Sequence, residues 1–336
     1  MNRIFVSLAV AFQLLVLGWM VFERELVLQT GRTVYLPTQP VDPRDPFRGD
    51  YVRLDYDISR VPSNACRDSV LEWMKLLTNY NLRQTWTSRR IYTALTLGED
   101  QVARPSYVSD RRPEEGLFVR GRVLHLTQAS LAAKYGIEAY FVEEGHGRPI
   151  EDRRIRADGI RVPLEMELAL GRNGLAVLKG CRWSRLGIGL TVETNTMRRP
   201  QAITVTLVNV SDTALSIIDQ GGGRPFKLMP DNDQWETDKN AVWVGSANAP
   251  AVVTENQVVV LKPEESHRIR IDLNSPDWWV REGTNAPHAI GEISEFRRWR
   301  LIYEPPPPAE VSHLKGSNMI WYGRIVSPAF WGGRID

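Results

Sequence analysis

The stretch PVDPRDPFRGDYVRLDY, Pro40 to Tyr56, passes from a proline-rich turn into a strand. Asp42-Pro43 and Asp45-Pro46 are turn formers, because proline presets φ and an aspartate carboxylate accepts from nearby backbone N–H groups. Gly49 tolerates a positive φ at the strand entry, and Asp50 can brace that turn. From Tyr51 the side chains alternate, with Tyr51, Arg53 and Asp55 on one face and Val52, Leu54 and Tyr56 on the other. A turn and an opening strand account for every residue of the stretch without a ligand.

Period two extends on both sides. Thr33-Val34-Tyr35-Leu36 precedes the turn, and residues 117–126 (LFVRGRVLHL), 135–142 (YGIEAYFV) and 162–170 read as further strands. In the last of these, Val162, Leu164, Met166, Leu168 and Leu170 alternate with Glu165, Glu167 and Ala169, the pattern of a half-buried strand. Asn173-Gly174, before Leu175-Ala176-Val177-Leu178, predicts a hairpin. One helix interrupts, capped by Ser63 or Asn64, with Val70, Trp73, Met74, Leu77 and Tyr80 on one face. The residues from there to Pro113 read as an elaboration between strands. Past a boundary at 182–189 comes a second strand series, at 203–210, 214–219, 257–261, 266–273, 296–303 and 318–326. Gly221-Gly222-Gly223 reads as a hairpin tip, and Pro305 to Pro308 as a polyproline II connector. Short alternating strands over about 150 residues predict an immunoglobulin-like β-sandwich.

At the N-terminus, Ile4 to Phe22 runs 19 residues without a charge. At ~1.5 Å per residue such a helix covers nearly all of the ~30 Å hydrocarbon core. The run ends without a small-residue cleavage site, and Trp19 suits an interfacial anchor, so an uncleaved signal anchor is expected. Arg3 before the span and Arg24 and Arg32 after it leave the orientation undecided by charge. The expectation is an inner-membrane protein, N-in, with the rest of the chain in the periplasm or extracytoplasmic space. The 42 basic and 40 acidic residues give a net charge of +2 and are dispersed, which argues against a nucleic-acid partner.

Gly49-Asp50-Tyr51 with Leu54 and Tyr56 resembles the signature of the GDYxxLxY domain family. Tyr135-Gly136-Ile137-Glu138, Tyr140-Phe141-Val142, Glu144-Gly145, Ile150-Glu151 and Gly174…Ala176-Val177-Leu178-Lys179-Gly180 are similar to its later blocks, in order. The resemblance covers roughly residues 26–182 and is poorest over 63–113. It implies a membrane-anchored bacterial protein and carries no reaction with it. The expected architecture is mainly β. It comprises a transmembrane anchor (1–25), a β-rich GDYxxLxY domain with one inserted helix (26–182) and an immunoglobulin-like β-sandwich (183–336).

Three sets of residues are candidates for a site. The first is a polar cluster of Asp42, Asp45, Asp50, Glu138 and Glu151, with Asp55 beside it, which would suit a hard cation or a polar substrate. Interleaved Arg44, Arg48 and Arg53 favour Arg–Asp pairing instead, and the spacing departs from an EF-hand loop, so no metal or other cofactor is expected. A proline-rich turn before Gly-Asp also resembles the nucleophile region of signal-peptidase-like serine enzymes, but residues 40–48 hold no serine. The second is Trp278-Trp279, a platform for stacking on a glycan. The third is Cys66 and Cys181, the only cysteines, which can close a disulfide outside the cytoplasm or remain two thiols. The five histidines, His125, His146, His267, His288 and His313, show no metal-ligand spacing. These observations favour a non-catalytic binding or envelope-assembly module whose partner is another envelope protein. The alternatives are an envelope hydrolase built on carboxylates such as Asp50 and Glu151, or a glycan-binding protein.

Overall fold

The computed structural model describes residues 2–41, 51–76, 87–141, 155–196, 199–222, 225–231, 235, 241–244, 252–274, 279–282, 286–292 and 297–332. Helix α1 (Asn2–Thr30) opens the chain, and its apolar side chains from Ile4 to Phe22 stand exposed, Leu15 at 72% and Trp19 at 67%. Such a surface is matched to hydrocarbon, and the helix is long and apolar enough to cross a membrane. It does not end at the last apolar residue of the run. It continues to Thr30, with Val27 buried against Gly171 and Glu23 accepting a hydrogen bond from Asn173 Nδ2 at 3.0 Å.

Ten strands follow: β1 (Arg32–Val41), β2 (Tyr51–Tyr56), β3 (Arg60–Pro62), β4 (Arg90–Leu97), β5 (Ala103–Ser109), β6 (Leu117–Leu126), β7 (Ser130–Lys134), β8 (Ala139–Phe141), β9 (Leu164–Leu170) and β10 (Ala176–Trp183). They form two five-stranded antiparallel sheets, ordered β10-β9-β1-β2-β8 and β3-β7-β6-β4-β5. The first core lies between them. Val34, Leu36, Leu54, Tyr56, Leu164, Met166 and Leu168 come from one sheet, and Ile91, Val108, Val119, Val123 and Leu131 from the other. Helix α2 (Asp68–Lys75) adds Val70, Trp73 and Met74 to the same core.

The alternation read in β9 holds on its inner face. The outer face is covered as well, because Ala169 is buried beside Gly31 at the end of α1 and Glu165 is 7% exposed and bonded to Arg182. The Asn-Gly hairpin joins β9 to β10 as expected. Several local expectations are corrected. Ser63 and Asn64 lie in a 3-10 turn, and α2 begins at Asp68, where Asp110 supplies the cap by accepting from Ser69 N at 3.2 Å. A cap delivered by a residue 41 positions away leaves no local trace. The segment before Pro113 is no insertion, since β4 and β5 are integral to the second sheet. Of the described residues 135–141 only β8 is strand, because Tyr135-Gly136 turns with Gly136 at φ +81°.

The remaining strands are β11 (Leu186–Thr194), β12 (Pro200–Asn209), β13 (Leu215–Ile218), β14 (Phe226–Pro230), β15 (Ala241–Val244), β16 (Val258–Leu261), β17 (Ser266–Asp272), β18 (Trp279–Glu282), β19 (His288–Ala289), β20 (Arg298–Tyr303), β21 (Ile325–Val326) and β22 (Phe330–Trp331). Sheets β11-β12-β17 and β14-β20-β21, the latter with β22 on β20, contribute to a second core as the two layers of a sandwich do. Ile203, Val205, Leu207, Ile269 and Ile271 come from one layer, and Trp299, Leu301, Tyr303 and Phe330 from the other. Gly221-Gly222 is not a hairpin tip. It joins β13, which pairs with β16, to β14, which pairs with β20. Residues 318–326 are strand only at β21; Ile320 serves a small third core with Val311 and Leu314, while Ile325 serves the second. Pro308 opens a single helical turn after an extended Pro307.

Trp235 breaks the sequence order of the cores. It is 6% exposed, belongs to the first core, and its Nε1 donates to Arg60 O at 2.7 Å and Asp57 O at 3.2 Å. Arg161 exchanges backbone hydrogen bonds with Ile188 at 2.9 Å, and Arg104 pairs with Glu304. The two cores are therefore stitched along a shared seam.

Candidate functional site

β2 carries the described part of the signature. Leu54 and Tyr56 enter the first core at 2% exposure, while Arg53 stands exposed, as strand alternation requires. The Tyr56 hydroxyl donates to Ile137 O at 2.9 Å, and Leu54 N donates to Glu138 O at 2.9 Å. The Glu138 carboxylate accepts from the backbone N–H groups of Tyr135 and Gly136. The Tyr135 hydroxyl donates to Ile58 O at 2.9 Å and lies 2.7 Å from Thr93 Oγ1. The signature strand and the 135–138 block, 81 residues apart at their Tyr56–Ile137 bond, are one bonded unit. Burial, with the Glu138 charge second, raises the Tyr56 phenol above its ordinary range, so it stays a protonated donor.

Within this unit Glu138 braces a turn, and Asp55 pairs with Arg60 at 2.9 Å. Asp42, Asp45, Gly49, Asp50, Glu151 and Trp278 lie outside the described residues, as do His146 and the Tyr51 side chain. Trp279 is half-buried on β18. Cys66 and Cys181 are both free, which corrects the disulfide alternative. Cys66 is bridged to β5 at Val108 in the second sheet, its thiol directed at Pro62 O at 3.5 Å, whereas Cys181 sits in β10 of the first sheet. Among the described residues, no group of three His, Cys, Asp or Glu side chains is placed to hold a metal ion.

Two concavities flank this unit. An open groove of about 720 Å³ runs over β2 and residues 132–139, lined by Arg53, Asp55, Arg60, Leu124, Lys134 and Glu138. A smaller cleft of about 150 Å³ lies at the seam, lined by Asp57, Arg104, Arg161, Glu165, Arg300 and Arg324 among others. Burial pushes the Asp57 carboxyl up to about 6, against the opposing pull of Arg324 and Arg300. Burial also raises Glu165, opposed by Arg182, whose Nε donates to it at 2.6 Å. Sequence reading missed both acids. Glu165 looks like an outward strand residue until Arg182 and the seam cleft enclose it, and nothing local marks Asp57.

A helix of membrane-spanning length running into a β-sandwich, with its signature strand spent on internal bonds, defines the class. The GDYXXLXY protein family pattern matches residues 13–180, half of the chain, and the chain belongs to that family. The match starts inside α1 and stops within β10, leaving β11 onward outside it. No curated protein matches the chain.

Proposed function

We propose that the protein is a single-pass binding or assembly module of the bacterial envelope. It is anchored N-in by α1 in the inner membrane, with a GDYXXLXY domain (26–182) and an immunoglobulin-like domain (183–336) in the periplasm. The observation that carries this reading is the 720 Å³ groove. It is open, rimmed by side chains of both signs, and Glu138, the one family-block acid among its described lining residues, is committed to backbone N–H groups. Such a surface suits a polar segment of another envelope protein. A photocrosslinking residue at Arg53, in the full chain in its own membrane, is expected to trap one discrete protein. If Arg53 and an exposed control position such as Glu115 trap the same set, the groove is not the docking surface.

One observation favours a second reading, an envelope hydrolase. A carboxyl near 6 in an arginine-lined cleft is suited to donate a proton to a leaving group around neutral pH, with the arginines holding developing negative charge. This reading expects turnover that falls above pH about 6 and disappears in Asp57→Asn with the fold intact. Turnover that survives Asp57→Asn rejects it.

A further inference from the structure

The outer face of the β4-β6-β7 sheet holds a row of like charges. Arg90 lies directly opposite Arg122, and Arg122 directly opposite Lys134, across three adjacent strands. Such pairs bring Cβ atoms within about 5 Å and repel one another. Arg120, two residues along β6, adds a fourth cation on the same face. The four line a cavity of about 270 Å³ with Tyr135 and Leu175, and among the described residues no carboxylate lines it. None of the four makes an ion pair or side-chain hydrogen bond among the described residues, in contrast to Arg60, Arg104, Arg156, Arg182 and Arg270. Unpaired repulsion built into a sheet face is relieved by an anion.

The position of the cluster identifies the anion. Arg120 N donates to Gly174 O at 2.7 Å, and the neighbouring Asn173 bonds Glu23, the residue that ends the uncharged run of α1. The hairpin tip therefore sits where the helix leaves the hydrocarbon. Arg122 is ~7 Å farther along β6, and each strand of the row adds ~5 Å. The whole cluster thus falls within about 20 Å of the membrane exit, across the headgroup layer and one to two Debye lengths. Exposed Arg172, and Arg112 bonded to its carbonyl at 2.9 Å, extend the positive surface at the tip. We propose that this face is a docking surface for anionic phospholipid headgroups, holding the first sheet pair down on the bilayer. The proposal rests on the anchored reading above.

The test uses the full chain in phosphatidylcholine bilayers containing a minority of phosphatidylglycerol with a photoreactive headgroup, and maps the labelled peptides. Labelling of residues 117–134 together with α1 is expected. Each basic residue near an anionic surface contributes about fivefold to association, so Arg122→Gln/Lys134→Gln should cut the 117–134 label roughly thirtyfold and leave the α1 label unchanged. Label on α1 but not on 117–134 overturns the proposal and spares the anchor; no label on α1 overturns the anchor itself. Equal labelling by a photoreactive phosphatidylcholine also overturns the proposal. Loss of the 117–134 label in millimolar inorganic phosphate overturns it in favour of a free-anion site. The comparison of the two lipids keeps the test decisive should the double variant misfold.

Discussion

Asp57 sits in the seam cleft with its carboxyl raised from 3.8 to about 6. The folded chain binds this proton more tightly than the unfolded chain, so its contribution to stability is full below about 3.8 and is lost as pH rises through about 6. The shift of about two units corresponds to at most about 3 kcal/mol. Asp57→Asn is expected to remove that slope and to be the more stable protein at pH 7, which urea melts across the interval will check. The thiols give a second expectation at this scale. Cys66 is 4% exposed with its thiol pushed up to about 12 by burial, while Cys181 is half-buried. Alkylation of the native protein should therefore modify Cys181 and reach Cys66 only on unfolding; a bridged peptide in a non-reducing digest would contradict the structure. Of the residues singled out from sequence, Leu54 and Tyr56 were legible because period two places them inward. Glu138 was not, because its partners, the Tyr135 and Gly136 N–H groups, depend on a turn that the run YGIEAYFV disguises as strand.

The β9–β10 hairpin is the element best read from local chemistry. Gly174 holds φ +78°, and a Cβ there would stand 2.6 Å from the Phe118 ring and 3.1 Å from Arg120 N. Gly174→Ala combines backbone strain with a clash and is expected to cost about 2–4 kcal/mol, measurable by thermal melts. The loss should exceed that of Gly116→Ala, where φ is also positive but the space is open. Elements closed by distant partners were illegible. α2 takes its cap from Asp110, and β4 and β5 pair through a register shift at Ala94/Leu95, with Pro105 within β5, which blurs strand periodicity.

Across the whole molecule the seam couples the two cores, and Trp235 is its main apolar tie. Trp235→Ala empties a buried site and removes the donor to the Arg60 and Asp57 carbonyls, at an expected cost of about 3–5 kcal/mol. Calorimetry should then resolve two unfolding transitions where the parent chain shows one; a single transition shifted intact would mean that the remaining contacts suffice for coupling. Properties set by neighbours along the chain need no fold to be read. The uncharged run of α1, the alternation in β2, β9, β12 and β17 and the Asn-Gly turn each follow from residues a few positions apart. The covering of Glu165, the fate of Trp235, the Tyr56 bond to Ile137, the raised Asp57 and the cation row across β4, β6 and β7 all join segments tens to hundreds of residues apart. Burial, charge and cross-strand repulsion act through space, and only the folded chain decides which residues share it.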